Sequence, residues 1–279
     1  MRRLAKQRMT KMTDKIRTRV IKILFVVALA ALLAIEVLHA IVKFDDQMYL
    51  LLSRFVGGGA CLLFMVDFSF TKILFPLGNK KALLALLAFP GFIIAINNFP
   101  FVSYIAGDCT VTSGPRSILL YALICLGVGF FEELAFRGCA FMLLLKSRTQ
   151  SKAKIFLAIF LSSVVFGLIH LVNLFFGASP ISVLLQIGYS ALIGALCSMV
   201  LLLTRNIWLC VLLHATYNFC GGIIENYGSG TQWTLAEIVF TAVLAVIVTV
   251  YFVILFVKMP NKLAEDLFDE EIKESEKAE

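Results

Sequence analysis

The run Gly129-Phe-Phe-Glu132-Glu133-Leu-Ala-Phe-Arg137-Gly138 places two carboxylates and a guanidinium inside an otherwise apolar stretch. At about 100° per residue, Glu133 and Arg137 stand at i,i+4 on one helix face and can pair. Glu132 points away from that face and is left unpaired by it. One carboxylate is then structural, and the other is free to face a cavity. Two more polar groups interrupt apolar runs further on: His170, closing Phe166-Gly-Leu-Ile-His170, and the pair in His214-Ala-Thr-Tyr-Asn218. The chain has only three histidines, and two of them are these. His214 and Asn218, again at i,i+4, can present two polar tips to one point.

These groups suit peptide hydrolysis, which needs a base for water, donors for the oxyanion and a proton for the leaving amine. A partly desolvated carboxyl is tuned toward general acid–base work near neutrality. Asn218 and a histidine can donate to the oxyanion, an effect worth about 2.7–4 kcal/mol per donor. A charge cluster at a helix end is the plainer reading, and it would hold if the helix stopped near Arg137. But Cys139 to Leu145 is apolar again and the basic loop begins at Lys146. That sets Glu132 about 21 Å from that end at helical rise. Ionisable groups at such depth cost roughly 2.5–3.5 kcal/mol each on insertion scales, so each is a functional candidate.

The elements that must position them are membrane helices. Of 279 residues, 60% are apolar and 15% charged, and the mean hydropathy is +0.93. Apolar stretches of about 20 residues span the hydrocarbon core, and only helices or closed barrels satisfy their backbone there. The runs are long and do not alternate, which excludes a barrel. The fold class is an all-α, polytopic integral membrane bundle of about eight helices, at 20–42, 50–75, 82–103, 117–146, 154–176, 181–203, 207–225 and 235–257.

The formal charge of +7 could suggest nucleic acid, but its distribution argues against that partner. Arg2, Arg3, Lys6, Arg8, Lys11, Lys15, Arg17, Arg19 and Lys22 cluster before or at the first span. Such a leader is kept in the cytoplasm and touches anionic lipid. With both termini cytoplasmic, all but Lys43, Arg54 and Arg116 of the 25 Lys and Arg fall inside, as the positive-inside rule requires. The first span is too long for a signal peptide and is read as a retained helix.

Other polar residues receive structural readings. Glu36 and His39 form a local ion pair or hydrogen bond near the outer interface; Asp67, Asn97 and Asn98 are helix-end or packing residues. Seven cysteines without CxxC spacing (Cys61, Cys109, Cys125, Cys139, Cys197, Cys210, Cys220) serve as small hydrophobes. The tail beyond Pro260 is acidic and is read as solvated or partly helical.

Glu-Glu-x-x-x-Arg, Phe-x-x-x-His and His-x-x-x-Asn, in that order on separate helices, resemble the CAAX-protease and bacteriocin-processing (ABI) family of intramembrane endopeptidases. The likeness runs from about Ser117 to Phe219 and includes the short turn at Leu203-Thr-Arg-Asn-Ile-Trp208. The resemblance implies that Glu132 activates water, that Glu133 and Arg137 support it, and that His170, His214 and Asn218 complete the site. The substrate would be a peptide or membrane protein, membrane-associated or lipidated, and the location a bacterial plasma membrane. No cofactor is required; a zinc ion on Glu132, His170 and His214 is the alternative, since catalytic zinc keeps three protein ligands and one open position. From other classes come a non-catalytic bacteriocin-immunity protein and a proton-coupled carrier, though the internal repeats expected of a carrier are absent. The organisation read from the sequence is a basic segment 1–19, three N-terminal helices within 20–116, a catalytic core 117–225, a last helix within 226–257 and a tail 258–279.

Overall fold

The computed structural model describes residues 2–75, 80–149 and 151–268, with the side chains of 2–18 and 80–85 outside that description. The side chains of the basic leader up to Arg17, and the acidic residues from Asp269 onward, therefore lie outside the described residues. The chain is an all-α polytopic bundle. Seven helical stretches among the described residues are long and apolar enough to cross a membrane, by length and composition.

In order, these begin with α1 (Arg2–Val42), apolar from Arg19 onward, and α2 (Asp46–Asp67). The expected span 82–103 coincides with α3 (Lys80–Asn97), which carries Pro90 internally, and a short α4 (Phe101–Ala106) after a break at Pro100. Its described apolar part is Leu86–Asn97. Next comes one continuous helical rod: α5 (Pro115–Glu133), a π-helical segment (Leu134–Phe141) and α6 (Met142–Lys146). The following rod is α7 (Lys152–Leu168) continued by a 3₁₀ segment (Ile169–Phe176). The last long helices are α8 (Pro180–Thr204), α9 (Ile207–Tyr227) and α10 (Leu235–Lys258), followed by a single turn, α11 (Lys262–Glu265). A two-stranded antiparallel ribbon, Cys109–Val111 against Gly228–Gly230, joins the start of α5 to the end of α9.

The sequence pattern fixes who sits where. In α8, 61% of the most apolar window is buried, against 11% in α10 and none in α1. So α8 is the central helix, while α1 and α10 present apolar side chains outward, as a lipid-facing helix does. The turn from α8 to α9 takes a left-handed residue, Arg205 (φ 51°). Asn206 then caps α9 by accepting from the Trp208 N–H at 3.0 Å.

Three basic residues assigned to the cytoplasmic side converge on one end. Lys72 Nζ donates to the Phe268 carbonyl (2.7 Å), Arg205 to that of Asp266 (3.2 Å), and Lys152 to those of Phe256 and Met259. The tail read as solvated or partly helical holds one helical turn, α11, and these contacts seat it on the bundle rather than in solvent through residue 268. Ala264, Leu267 and Phe268 are buried against the bundle.

The outer cluster also differs from expectation. Glu36 accepts from the Tyr49 hydroxyl at 2.6 Å, and His39 Nε2 stands 3.4 Å from Asp46 while its ring stacks on Tyr49. The N-terminus of α2 supplies both partners, and these outcompete a Glu36–His39 pair on one helix.

Candidate active site

The motif-bearing rods meet because Gly129 lets the α9 backbone close up, while Gly194 of α8 leaves room for the Arg137 guanidinium. A Cβ on Gly129 of α5 would lie 2.8 Å from the Val211 carbonyl of α9, and one on Gly194 of α8 would lie 2.6 Å from an Arg137 nitrogen. Real Cβ atoms do not approach that closely, so Gly129 sets how near α9 comes to the Glu-Glu segment and Gly194 makes space for the Arg137 head group.

At that crossing four side chains form a chain of contacts. Arg137 Nη1 stands 3.0 Å from Glu133 Oε1. The same oxygen accepts from His214 Nδ1 at 2.7 Å. The opposite edge of that imidazole, Nε2, faces Glu132 Oε2 at 3.6 Å. Glu133 is 0% exposed and Arg137 1%, whereas the Glu132 side chain keeps 21% of its surface. Arg137 is further covered by Phe166, whose ring centre lies 4.4 Å from the guanidinium carbon. A buried cation is held this way by one counter-ion and one π face.

The Glu133–Arg137 pair forms although Arg137 sits in a π-helical segment rather than a regular α-helix. A π turn closes i→i+5 bonds, so i,i+4 residues stay near one face.

His170 is likewise not on an α-helix: the chain tightens to 3₁₀ from Ile169. Its Nδ1–H donates to the carbonyls of Phe166 (3.0 Å) and Gly167 (3.2 Å), which can only accept. That fixes the tautomer of the neutral ring and leaves Nε2 with its lone pair toward the cavity.

A cavity of about 150 Å³ receives Glu132, His170, His214 and Asn218 together. Glu133 and Arg137 lie behind the wall. Asn218 offers its side chain to the cavity while its backbone carbonyl accepts from the Tyr121 hydroxyl at 3.1 Å. Sequence reasoning missed Gln186, Tyr189, Ser190 and Tyr217, which share the lining. The signal for two of them was present: Gln186 and Ser190 stand at i,i+4 in an apolar run.

Among the described residues, no three His, Cys, Asp or Glu stand together as a group that could hold a metal ion. Glu132, His170 and His214 share the cavity, and the Nδ1 atoms of both histidines are engaged by acceptors, Glu133 for His214 and backbone carbonyls for His170.

A second cavity, of about 340 Å³ and almost wholly apolar, adjoins the first. Tyr189, Ile193 and Tyr217 line both, so these three form a shared wall. It runs between α7, α8 and α10 past Phe156, Leu196 and Val253.

Residues 114–220 match the model of a protein family described as type II CAAX prenyl endopeptidase, Rce1-like. The matched segment begins at the N-cap of α5, ends within α9 and contains every residue of the three motifs. The family resemblance drawn from those motifs is thereby borne out. The matched core is that of an intramembrane protease, a hydrolase, in an integral membrane protein. Comparison with curated proteins and with solved structures gives no match.

Proposed function

We propose that this chain, whose core carries the type II CAAX prenyl endopeptidase segment, is an intramembrane endopeptidase that cleaves a lipidated peptide with a glutamate-activated water. One observation supports this above the others. Glu132 is the carboxylate that opens on the cavity, and it is backed by the ordered series His214, Glu133, Arg137.

In that scheme Glu132 takes a proton from water as the oxygen bonds to the scissile carbonyl carbon. The carbonyl becomes an oxyanion, held by Asn218 Nδ2. Glu132, now protonated, returns the proton to the nitrogen as the C–N bond breaks, leaving an acid and an amine. His214 is oriented by Glu133, and Glu133 is anchored by Arg137. A base held by a third group is the recurring logic of activated sites. His170 Nε2 offers a proton acceptor on the opposite wall.

The adjoining apolar cavity supports the lipidated substrate class. A hydrocarbon chain lying between α7, α8 and α10 would bring the attached peptide to the shared wall at Tyr189 and Tyr217. Nothing in the scheme passes through a metal ion.

The test is mass-spectrometric comparison of membrane fractions from cells carrying the wild type or Glu132→Gln, followed by cleavage of the identified peptide by purified protein. Glu132→Gln, His170→Ala and His214→Ala are each expected to abolish cleavage while the protein still inserts. Retained cleavage by purified Glu132→Gln removes Glu132 as the base.

A further inference from the structure

Resting on the active-site reading above, we propose that Gln186 is a substrate-binding residue. Its Nε2 donates to a backbone carbonyl of the bound peptide, and Asn173 is the positioning residue that holds the carboxamide in the donating orientation.

Gln186 stands six residues into α8, in register with Ser190 and Ile193 at i+4 and i+7, and all three line the catalytic cavity. Its Oε1 accepts from Asn173 Nδ2, on the 3₁₀ segment, at 2.8 Å. Its Nε2 makes no hydrogen bond to the described residues. A side-chain amide has one accepting and one donating end. With the accepting end engaged by Asn173, the donating end is the one left for the cavity.

An extended peptide entering a cavity within the bilayer leaves water behind, and its carbonyls then need donors. The ionisable groups of the wall act as acceptors, and its donors beside Asn218 are the hydroxyls of Tyr189, Ser190 and Tyr217 and the Gln186 amide. Glu132 contributes a carboxylate and His170 a lone pair. The N–H groups at the site are largely committed elsewhere. His170 Nδ1–H serves carbonyls and His214 Nδ1–H serves Glu133, while Arg137 is 1% exposed behind Glu133 and Phe166. Asn218 is assigned to the oxyanion. Gln186 brings two N–H groups to a carbonyl elsewhere on the peptide, from the wall formed by α8.

The experiment separates substrate binding from a mere tie between the 3₁₀ segment and α8. The probe is a fluorescent peptide with an S-farnesyl cysteine and three further residues, its scissile amide replaced by a non-cleavable methylene-amine. Its Kd for the full-length chain in detergent is read by anisotropy. Gln186→Leu is expected to raise Kd about 3–10-fold, the effect of one neutral hydrogen bond. Asn173→Asp keeps the tie but reverses it: a carboxylate only accepts, so Gln186 must turn Nε2 toward it and present Oε1 to the cavity. It is expected to raise Kd as much as Gln186→Leu with no change in unfolding temperature. Wild-type affinity in either variant overturns the proposal, and so does a Kd rise in Asn173→Asp accompanied by a lowered unfolding temperature. Cleavage of the intact peptide by Glu132→Gln would refute the active-site reading, while the Kd series would still decide on Gln186.

Discussion

Glu132 and Glu133 are chemically identical neighbours, and the structure predicts that neutralising them has different consequences for stability. Glu133 is 0% exposed, accepts from His214 at 2.7 Å and faces Arg137 at 3.0 Å. Glu133→Gln leaves a 1%-exposed guanidinium without its counter-ion. Removing one partner of a buried pair costs about 3–5 kcal/mol. At about 2–3 °C per kcal/mol for a domain of this size, the unfolding temperature should fall by about 6–15 °C. Glu132 keeps 21% of its side-chain surface, and the His214 nitrogen that faces it is 3.6 Å away. No hydrogen bond is lost in Glu132→Gln, so the cost should stay within about 1 kcal/mol, or about 3 °C. Removing a general base nonetheless costs about 10²–10⁴ in rate.

The assay uses the protein's own thiols. Cys125, Cys197 and Cys210 are free and buried, so a maleimide that fluoresces on reaction reports their exposure as purified protein is heated. Peptide cleavage is measured on the same preparations. The expected pattern is Glu132→Gln stable and inactive, and Glu133→Gln unstable and inactive. Equal losses of stability in the two variants would refute the division into one free and one anchored carboxylate. So would a Glu133→Gln protein that unfolds at the wild-type temperature.

Three further outcomes follow from the same geometry. Gly194→Ala pushes a Cβ to 2.6 Å from Arg137 and should cost about 1–3 kcal/mol by overpacking; Gly188→Ala, with nothing within 4 Å on the same helix, should be neutral or stabilising in the same unfolding assay. Ala245→Trp fills the apolar cavity and should lower kcat/KM for a farnesylated peptide about tenfold or more while sparing its unlipidated counterpart. Exhaustive chelation should leave cleavage unchanged, because the proposed scheme routes no step through a metal ion; loss of cleavage on chelation, restored by zinc, would refute that scheme.

Much of this site was legible because membrane sequences tolerate few ionisable groups. Glu132, Glu133, Arg137, His170 and His214 stood out against lipid-compatible surroundings, and helical spacing alone paired Glu133 with Arg137. What spacing could not give was the third dimension. That His214 of α9 would bridge both carboxylates depends on Gly129 admitting the α9 backbone at close range, and a glycine in an apolar run carries no label for that purpose. Gln186 was passed over because an uncharged amide barely disturbs the hydropathy of its run. The π and 3₁₀ segments were invisible for a related reason: apolar stripes fit an α-helix, and only the hydrogen bonds reveal the altered winding. The Glu36–His39 reading failed because a same-helix pair was weighed without its competitors on α2.

The bridging role of His214 can be dissected atom by atom, since shorter and longer amides mimic its two nitrogens separately. Asparagine carries its nitrogen near the Nδ1 position and glutamine near Nε2. His214→Asn should still donate to Glu133, preserving the charged hydrogen bond seen at 2.7 Å, and so should unfold within about 3 °C of wild type. His214→Gln reaches toward Glu132 instead and leaves a fully buried carboxylate short of a donor. That omission costs about 1.5–3 kcal/mol for a charged acceptor, or about 3–9 °C. Both variants should be inactive: the first has nothing facing Glu132, and the second has a group there that Glu133 no longer aligns. The unfolding temperatures carry the test, because a histidine that merely fills space would rank the two by volume and favour glutamine. Glutamine more stable than asparagine would therefore mean that the Glu133 hydrogen bond does not order the imidazole, and the anchored series from Arg137 to Glu132 would lose its middle link.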